Sequence, residues 1–260
     1  MDSLKALKIA IVGPLPPPAG GMANQAQQLV ELLEQAGAKV EFVRVNAPYS
    51  PRFVSAIKGF RAIFRLIPYF YNLWRKIQKV DVVHVLANSG WSWYLFATPA
   101  VWIAYWLKKP VIINYRGGEA QPFFKKSWRW IKPTIDKTRL VIVPSAYLQR
   151  VFSNQRVEAV IVPNILDLQR FNFEANSDSS NNAPHLVVTR NLEKIYGVDT
   201  VLRAFALIRA EHDNARLTVA GSGPEEVELK ALADSLGVQG SVIFSGRLNP
   251  QQIARLYQEA

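Results

Sequence analysis

Residues 13–45 read GPLPPPAGGMANQAQQLVELLEQAGAKVEFVRV. Just ahead of them stands LKIAIV, a Val/Ile-rich run of strand length, and the stretch closes on a second such run, KVEFVRV. Between the two lie a proline-rich loop, the pair Gly20–Gly21 and a helical pattern over Met22–Gln35. Strand, loop, helix and strand in this order make a βαβ unit, which needs a parallel sheet. The loop then sits at the carboxyl edge of that sheet, where open α/β folds bind ligands. Proline fixes φ and stiffens the loop, while paired glycines let a ligand approach the backbone. The helix beginning near Met22 offers free N–H groups to a phosphate or a polar sugar. A plain strand-to-helix turn is the alternative. The stretch fits neither the dinucleotide GxGxxG pattern nor the GxxxxGK[ST] phosphate loop, which argues against a dehydrogenase or a kinase.

Outward from this unit the same alternation continues. Strand-like runs recur as VDVVHVL, PVIINY, LVIVPS, AVIVPN, HLVVTR, ARLTVAG and SVIFSG. They are apolar throughout, as strands covered on both faces are. Helical patterns fall at Trp91–Leu107, Ala146–Phe152, Val198–Ala210, Glu225–Leu236 and Pro250–Ala260. EANSDSSNNAP, residues 174–184, is small, polar and aperiodic, and reads as a linker. The expected organisation is an N-terminal Rossmann-like domain over 1–173, the linker, and a partial Rossmann-like domain over 185–260. The second shows three strands and stops within a helical pattern, so a fragment of a longer protein is expected.

The chain has 260 residues, 49% of them apolar, and no cysteine. It is globular, free of disulfides and zinc-thiolate sites, and suited to a reducing cytoplasm. His84, His185 and His212 are far apart and read as structural, so no metal site is expected. WSWYLFATPAVWIAYWL, residues 91–107, is uncharged and just long enough to span a bilayer, but Pro99 and the flanking strands favour a buried helix.

The net charge of +11 is lopsided. Residues 1–172 carry 23 Lys and Arg against nine Asp and Glu, and residues 173–260 carry eight against 11. The most basic stretch, RFVSAIKGFRAIFRLIPYFYNLWRKIQK at 52–79, has seven cations and no acid. Lys58, Arg61 and Arg65 share one helical face, Ile57, Phe60, Phe64 and Ile67 lie on another, and Arg75 and Lys76 follow. Cations interleaved with aromatics suit an anionic membrane surface. They also suit single-stranded nucleic acid, for which no motif is present. Aromatics in the core with cations in water is the structural alternative. A second cluster, KKSWRWIKPTIDKTR, adds Trp128 and Trp130.

The Gly-Gly loop, VIVPSAYLQRVF, VIVPNILDLQRFNF, TRNLEKIYGVDTVLRAFALI and ARLTVAGSGPEEVELKALADSLGVQGSVIFSGRL follow one another in this order. Together they resemble the family-4 retaining glycosyltransferases of the GT-B fold, and the resemblance covers nearly the whole chain. It implies two Rossmann-like domains facing a cleft, a nucleotide-sugar donor held mainly by the second and a saccharide or lipid-linked acceptor held mainly by the first. No cofactor is implied beyond the nucleotide-sugar itself. Arg190 and Lys194 match the family's Arg and Lys at the head of the second domain, and they would stabilise the departing diphosphate without a metal. Two residues separate Lys194 from Gly197, where the family has Lys-Gly. Gly20 and Gly21 would lie near the donor phosphates, Gly221 and Gly223 near the nucleotide (a tight turn being the alternative), and Gly246 of SGR near the base. In INYRGGEA the family's frequent His is replaced by Arg116, with Glu119 close by as a partner for sugar hydroxyls or acceptor. An Arg116–Glu119 ion pair is the structural alternative. The family's paired glutamates would follow beyond YQEA. The expectation is thus a metal-independent retaining transferase in the cytoplasm, peripheral to the inner membrane face. A non-catalytic saccharide-binding module of the same fold is the alternative.

Overall fold

The structure, a computed structural model, describes residues 4–17, 20–47, 61–168, 170–171 and 183–260, and at 61–63 the backbone only. The chain divides into two compact units, Met1–Ile165 and Leu166–Ala260. The expected linker over 174–184 falls almost wholly outside the described residues.

Unit 1 contains a six-stranded sheet: β1 (Lys8–Gly13), β2 (Lys39–Arg44), β3 (Val82–Ala87), β4 (Val111–Tyr115), β5 (Leu140–Val143) and β6 (Val160–Ile161). Their spatial order is β2-β1-β3-β4-β5-β6, and every pairing is parallel. The helices are α1 (Gly21–Gln35), α2 (Arg61–Ile77), α3 (Thr98–Trp106), α4 (Ala120–Ile135) and α5 (Ala146–Ser153). Successive strand residues point to opposite faces, which explains the unbroken apolar runs. Ala10, Val12, Val83, Val85, Ile113 and Tyr115 join residues of α2 to α5 in one core. Ile9, Ile11 and Leu86 join Ala26 of α1 and Ala38 in another.

The Trp91–Leu107 stretch is helical between β3 and β4 and buries one side, with Trp91, Tyr105 and Trp106 exposed. Trp93, Ala97, Ala100, Val101 and Ala104 are buried, and the segment opens with a π-helical turn over Trp93–Ala97. Among the described residues no helix is long and apolar enough to cross a membrane. α4 was not among the expected helices. Pro133 and the run of cations mask its period, yet Ala120, Phe124, Ile131 and Ile135 recur at spacings of four and seven and are all buried.

Unit 2 holds β7 (His185–Val188), β8 (Arg216–Val219) and β9 (Val242–Phe244) in that order, again parallel. With them go α6 (Val198–Glu211), α7 (Glu226–Ser235) and α8 (Pro250–Gln258). Leu192, Leu202, Phe205, Leu217, Val219 and Leu229 form its core. α8 begins with a capping box in which Asn249 and Gln252 each satisfy the other's backbone N–H. His185 is structural: its ring nitrogens lie 2.9 Å from Thr218 Oγ1 and 3.0 Å from the Glu259 carbonyl.

Candidate functional site

In unit 1 the strand ends put β1, β3 and β4 side by side at the carboxyl edge, with Val12 opposite Val85 and Ala87 opposite Tyr115. The loop after β1 is held from β2. Arg44 Nη2 donates to the carbonyls of Leu15, Pro16 and Pro17 at 2.8–3.0 Å, and Asn46 accepts from the Leu15 N–H at 3.0 Å. Gly20 is the N-cap of α1, in extended backbone, and no side chain caps the helix. A Cβ at Gly20 or Gly21 would meet no described atom within 4 Å. The fold therefore makes no packing demand for glycine here, and their bare backbone leaves this corner of the edge open.

Arg116 follows β4, its N–H bonded to the Ala87 carbonyl at 2.9 Å. It stands on a platform of rings: Tyr115 packs against Phe124, Phe152 and Trp93 at centroid distances of 5.3, 5.4 and 6.1 Å. Burial pushes the Tyr115 phenol up to about 12, against a weaker opposite pull from its 2.8 Å hydrogen bond with Ser89 Oγ. Gly117 is demanded by this contact, because a Cβ there would come within 2.7 Å of the Tyr115 hydroxyl.

The Arg116 side chain is gripped by amides. Nε donates to Asn114 Oδ1 at 3.1 Å, and Nη1 to Asn164 Oδ1 at 2.6 Å and to Gln25 Oε1 at 3.5 Å. Since Asn114 Oδ1 accepts from arginine, its Nδ2 faces His84 Nε2 at 3.2 Å as donor. The imidazole thus accepts at Nε2 and is neutral. Burial, and after it the Arg116 charge, brings its pKa down from 6.5 to about 4. Gln25 makes a second, two-pronged contact: Oε1 accepts the Ile165 N–H at 2.8 Å and Nε2 donates to the Ile165 carbonyl at 2.8 Å. These bonds tie Arg116 to α1 through Gln25, four residues after Gly21. Glu119 is exposed and serves as the N-cap position of α4. Among the described residues Arg116 pairs with no carboxylate, so the Arg116–Glu119 ion pair is not formed.

In unit 2 the expected residues also gather on one edge. Val188, Val219 and Phe244 are register partners, and Arg190, Gly221 and Gly246 each lie two residues beyond them. Arg190 is exposed, its guanidinium 5.7 Å from the Tyr196 ring centroid. Lys194 opens a 3₁₀ turn, and Gly197, with φ +61°, reverses the chain into α6. Gly246 has φ +68°, the left-handed region that favours glycine. Gly221 and Gly223 have a packing reason. A Cβ on either would run into the Arg190 and Leu192 carbonyls, with the carbonyl carbons at 2.9 and 2.7 Å. The two loops are also stitched by Leu192 N–H to Ser222 O and Glu225 N–H to Leu192 O, both 3.1 Å.

Gln25, His84, Asn114 and Asn164 were not singled out as site residues from sequence. An Asn within VIINY was the one local signal, being polar inside an otherwise apolar strand. Among the described residues no three His, Cys, Asp or Glu side chains form a metal-binding group.

Of the cations expected at a membrane surface, Lys58 lies outside the described residues, as does the side chain of Arg61. Arg65 is half-buried in α2. Arg75 sits over Tyr71, and Lys76 donates to the Phe42 carbonyl at 2.7 Å and pairs with Glu41 at 3.4 Å. The α2 aromatics divide. Tyr69, Leu73 and Ile77 are in the core, while Phe64, Ile67, Phe70, Tyr71 and Trp74 are exposed.

Residues 19–170 match the model described as Glycosyltransferase Family 4, and residues 169–260 that of Glycosyl transferases group 1. The chain is 25% identical to the alpha-monoglucosyldiacylglycerol synthase of Streptococcus pneumoniae, over 94% of this chain and 62% of that protein. It thus spans about three-fifths of the length of this curated relative. The fold is shared with a glycosyltransferase from Rickettsia africae (TM-score 0.68, 15% identity, 97% of this chain and 71% of the other). It is shared too with the lipopolysaccharide outer core galactosyltransferase WaaB (TM-score 0.61, 14% identity, 96% and 71%). Two parallel-sheet units that carry basic groups at their carboxyl edges, matched end to end by these two models, identify the chain as a member of glycosyltransferase family 4.

Proposed function

We propose that this chain is part of a metal-independent, retaining glycosyltransferase that transfers a sugar from a nucleotide-activated donor to a lipid-linked or surface saccharide. The observation that carries this reading is the edge of unit 2, where Arg190, Lys194 and the Gly246 turn stand beyond register-matched strand ends. A nucleoside diphosphate leaving group needs positive charge at its phosphates, and exposed Arg and Lys supply it without a metal or other cofactor. Gly221 and Gly223 shape that edge by letting its two loops touch. On unit 1, Gly20 and Gly21 would line the side near the donor phosphates and the reacting sugar, and Arg116 and Glu119 would meet the reacting sugar and the acceptor.

The test uses the chain as it stands. Calorimetry with nucleoside diphosphates should show saturable binding, and Arg190→Ala should weaken it about tenfold or more, as expected for loss of a charge-assisted contact of about 1.5–3 kcal/mol. Equal affinities would remove Arg190 from the site. A non-catalytic binding module would also bind. It is separated by an assay of nucleotide-sugar turnover.

A lipid acceptor is supported by the name of the pneumococcal relative and by α2. Its outward stripe of Phe64, Ile67, Tyr71 and Trp74, spaced three or four residues apart, is an interfacial pattern, with Ile67 65% and Tyr71 66% exposed. The surrounding basic composition favours anionic lipid over neutral lipid. At low salt the chain should sediment with vesicles containing phosphatidylglycerol and much less with pure phosphatidylcholine. Equal sedimentation would refute this part.

A further inference from the structure

Arg116 is oriented without being neutralised. Every side-chain bond that it makes goes to a neutral amide: Asn114, Asn164 and Gln25. The one titratable group behind it, His84, is held uncharged. The cluster therefore has a charge of +1 with no described counterion. Guanidinium has five N–H donors. Nε and Nη1 spend theirs on the amides, and the two on Nη2 have no partner among the described residues. Burial also lowers the Arg116 pKa, which means that the charge is partly desolvated and correspondingly hungry for an anion.

We infer that the Arg116 cluster is an oxyanion receptor, and that Gln25 sets this preference by being an amide and not a carboxylate. The ligand class is a saccharide bearing a phosphate or a carboxylate group, met by the two N–H groups of Nη2. This deepens the transferase reading, on which it rests for naming the ligand as the sugar-containing substrate of unit 1. Gln25 is a positioning residue. It is 3.5 Å from Nη1 and simultaneously ties Ile165 through both prongs of its amide. A glutamate in its place would keep the acceptor oxygen and the bond from the Ile165 N–H, but would supply the missing counterion.

The test is calorimetry at low salt on the 260-residue chain carrying Arg190→Ala, so that the phosphate contacts of unit 2 are weakened. Inorganic phosphate, glucuronate and glucose are the probes. Glucose should give no heat of binding. Saturation by phosphate alone assigns a phosphorylated substrate, by glucuronate alone an acidic sugar, and by both the shared oxyanion chemistry. Saturation by neither overturns the inference. Gln25→Glu should weaken the oxyanion at least tenfold while thermal unfolding stays within a few degrees, and unchanged affinity overturns it. If Gln25→Glu fails to fold, Arg116→Gln must show the same loss. Nucleoside diphosphate binding by the chain with Arg190 intact tests the transferase reading separately, so one can fail while the other stands.

Discussion

Two pairs of glycines mark the two sheet edges, and they are there for opposite reasons. At the edge of unit 1, Gly20 and Gly21 face open space: a methyl group added to either touches nothing described. At the edge of unit 2, Gly221 and Gly223 are jammed against the Arg190 and Leu192 carbonyls, and neighbouring loops are bonded through that contact. A glycine that the fold needs and a glycine that the fold merely permits look the same in a sequence. Only the second sort is left over for a ligand. The lesson extends to the charges beside them. Arg190 is exposed over a tyrosine ring, while Arg116 is half-buried among amides.

The contrast can be broken by one substitution made twice. Gly221→Ala should destabilise unit 2 by about 3 kcal/mol or more, because backbone must move to admit the methyl group. Gly21→Ala, in the first turn of α1, should shift stability by less than about 1 kcal/mol and in the favourable direction. Denaturant unfolding of both variants decides it, and similar costs would mean that the two pairs do the same work. A smaller effect sharpens the difference between the units by acid. The folded-state pKa of His84, about 4, lies below its ordinary 6.5. Between these values the unfolded chain binds more protons, so the stability present above pH 6.5 is lost as the pH falls toward 4, by up to about 3 kcal/mol. His84→Gln should flatten that pH dependence in unit 1, and an unchanged slope would mean that His84 is not its source.

Much of the fold was legible because parallel strands covered on both faces write themselves as unbroken runs of Val, Ile and Leu. All nine runs read as strands are strands, from LKIAIV to SVIFSG, although Glu41 and Arg44 interrupt KVEFVRV and both residues of β6 are exposed. The helices were legible wherever the apolar period was clean, and α4 was missed where Pro133 and four cations obscured it. The candidate site was legible only in part. Gly20, Gly21, Arg116 and Arg190 follow strand ends, so their place on an edge could be read from chain order alone. Gln25 and Asn164 could not be found this way. Their roles rest on contacts with partners 140 and 48 positions away, and no local pattern encodes such a meeting. The packing reason for Gly221 and Gly223 was likewise hidden, since it depends on how two loops approach.

The rings beneath Arg116 have one more consequence. Tyr115, Phe124, Phe152 and Trp93 are all buried to within 1% and interlocked, so the turn that carries the guanidinium has little freedom left once unit 1 has folded. A flexible arginine on a loop gives up rotamer entropy each time it grips a ligand, of order 0.5–1.5 kcal/mol per side chain. Here that loss is incurred once, during folding, and is shared by the whole core. On the oxyanion-receptor proposal, a ligand would meet a fork already aimed, and discrimination between acidic and neutral sugars would be a matter of charge and shape with little ordering left to do.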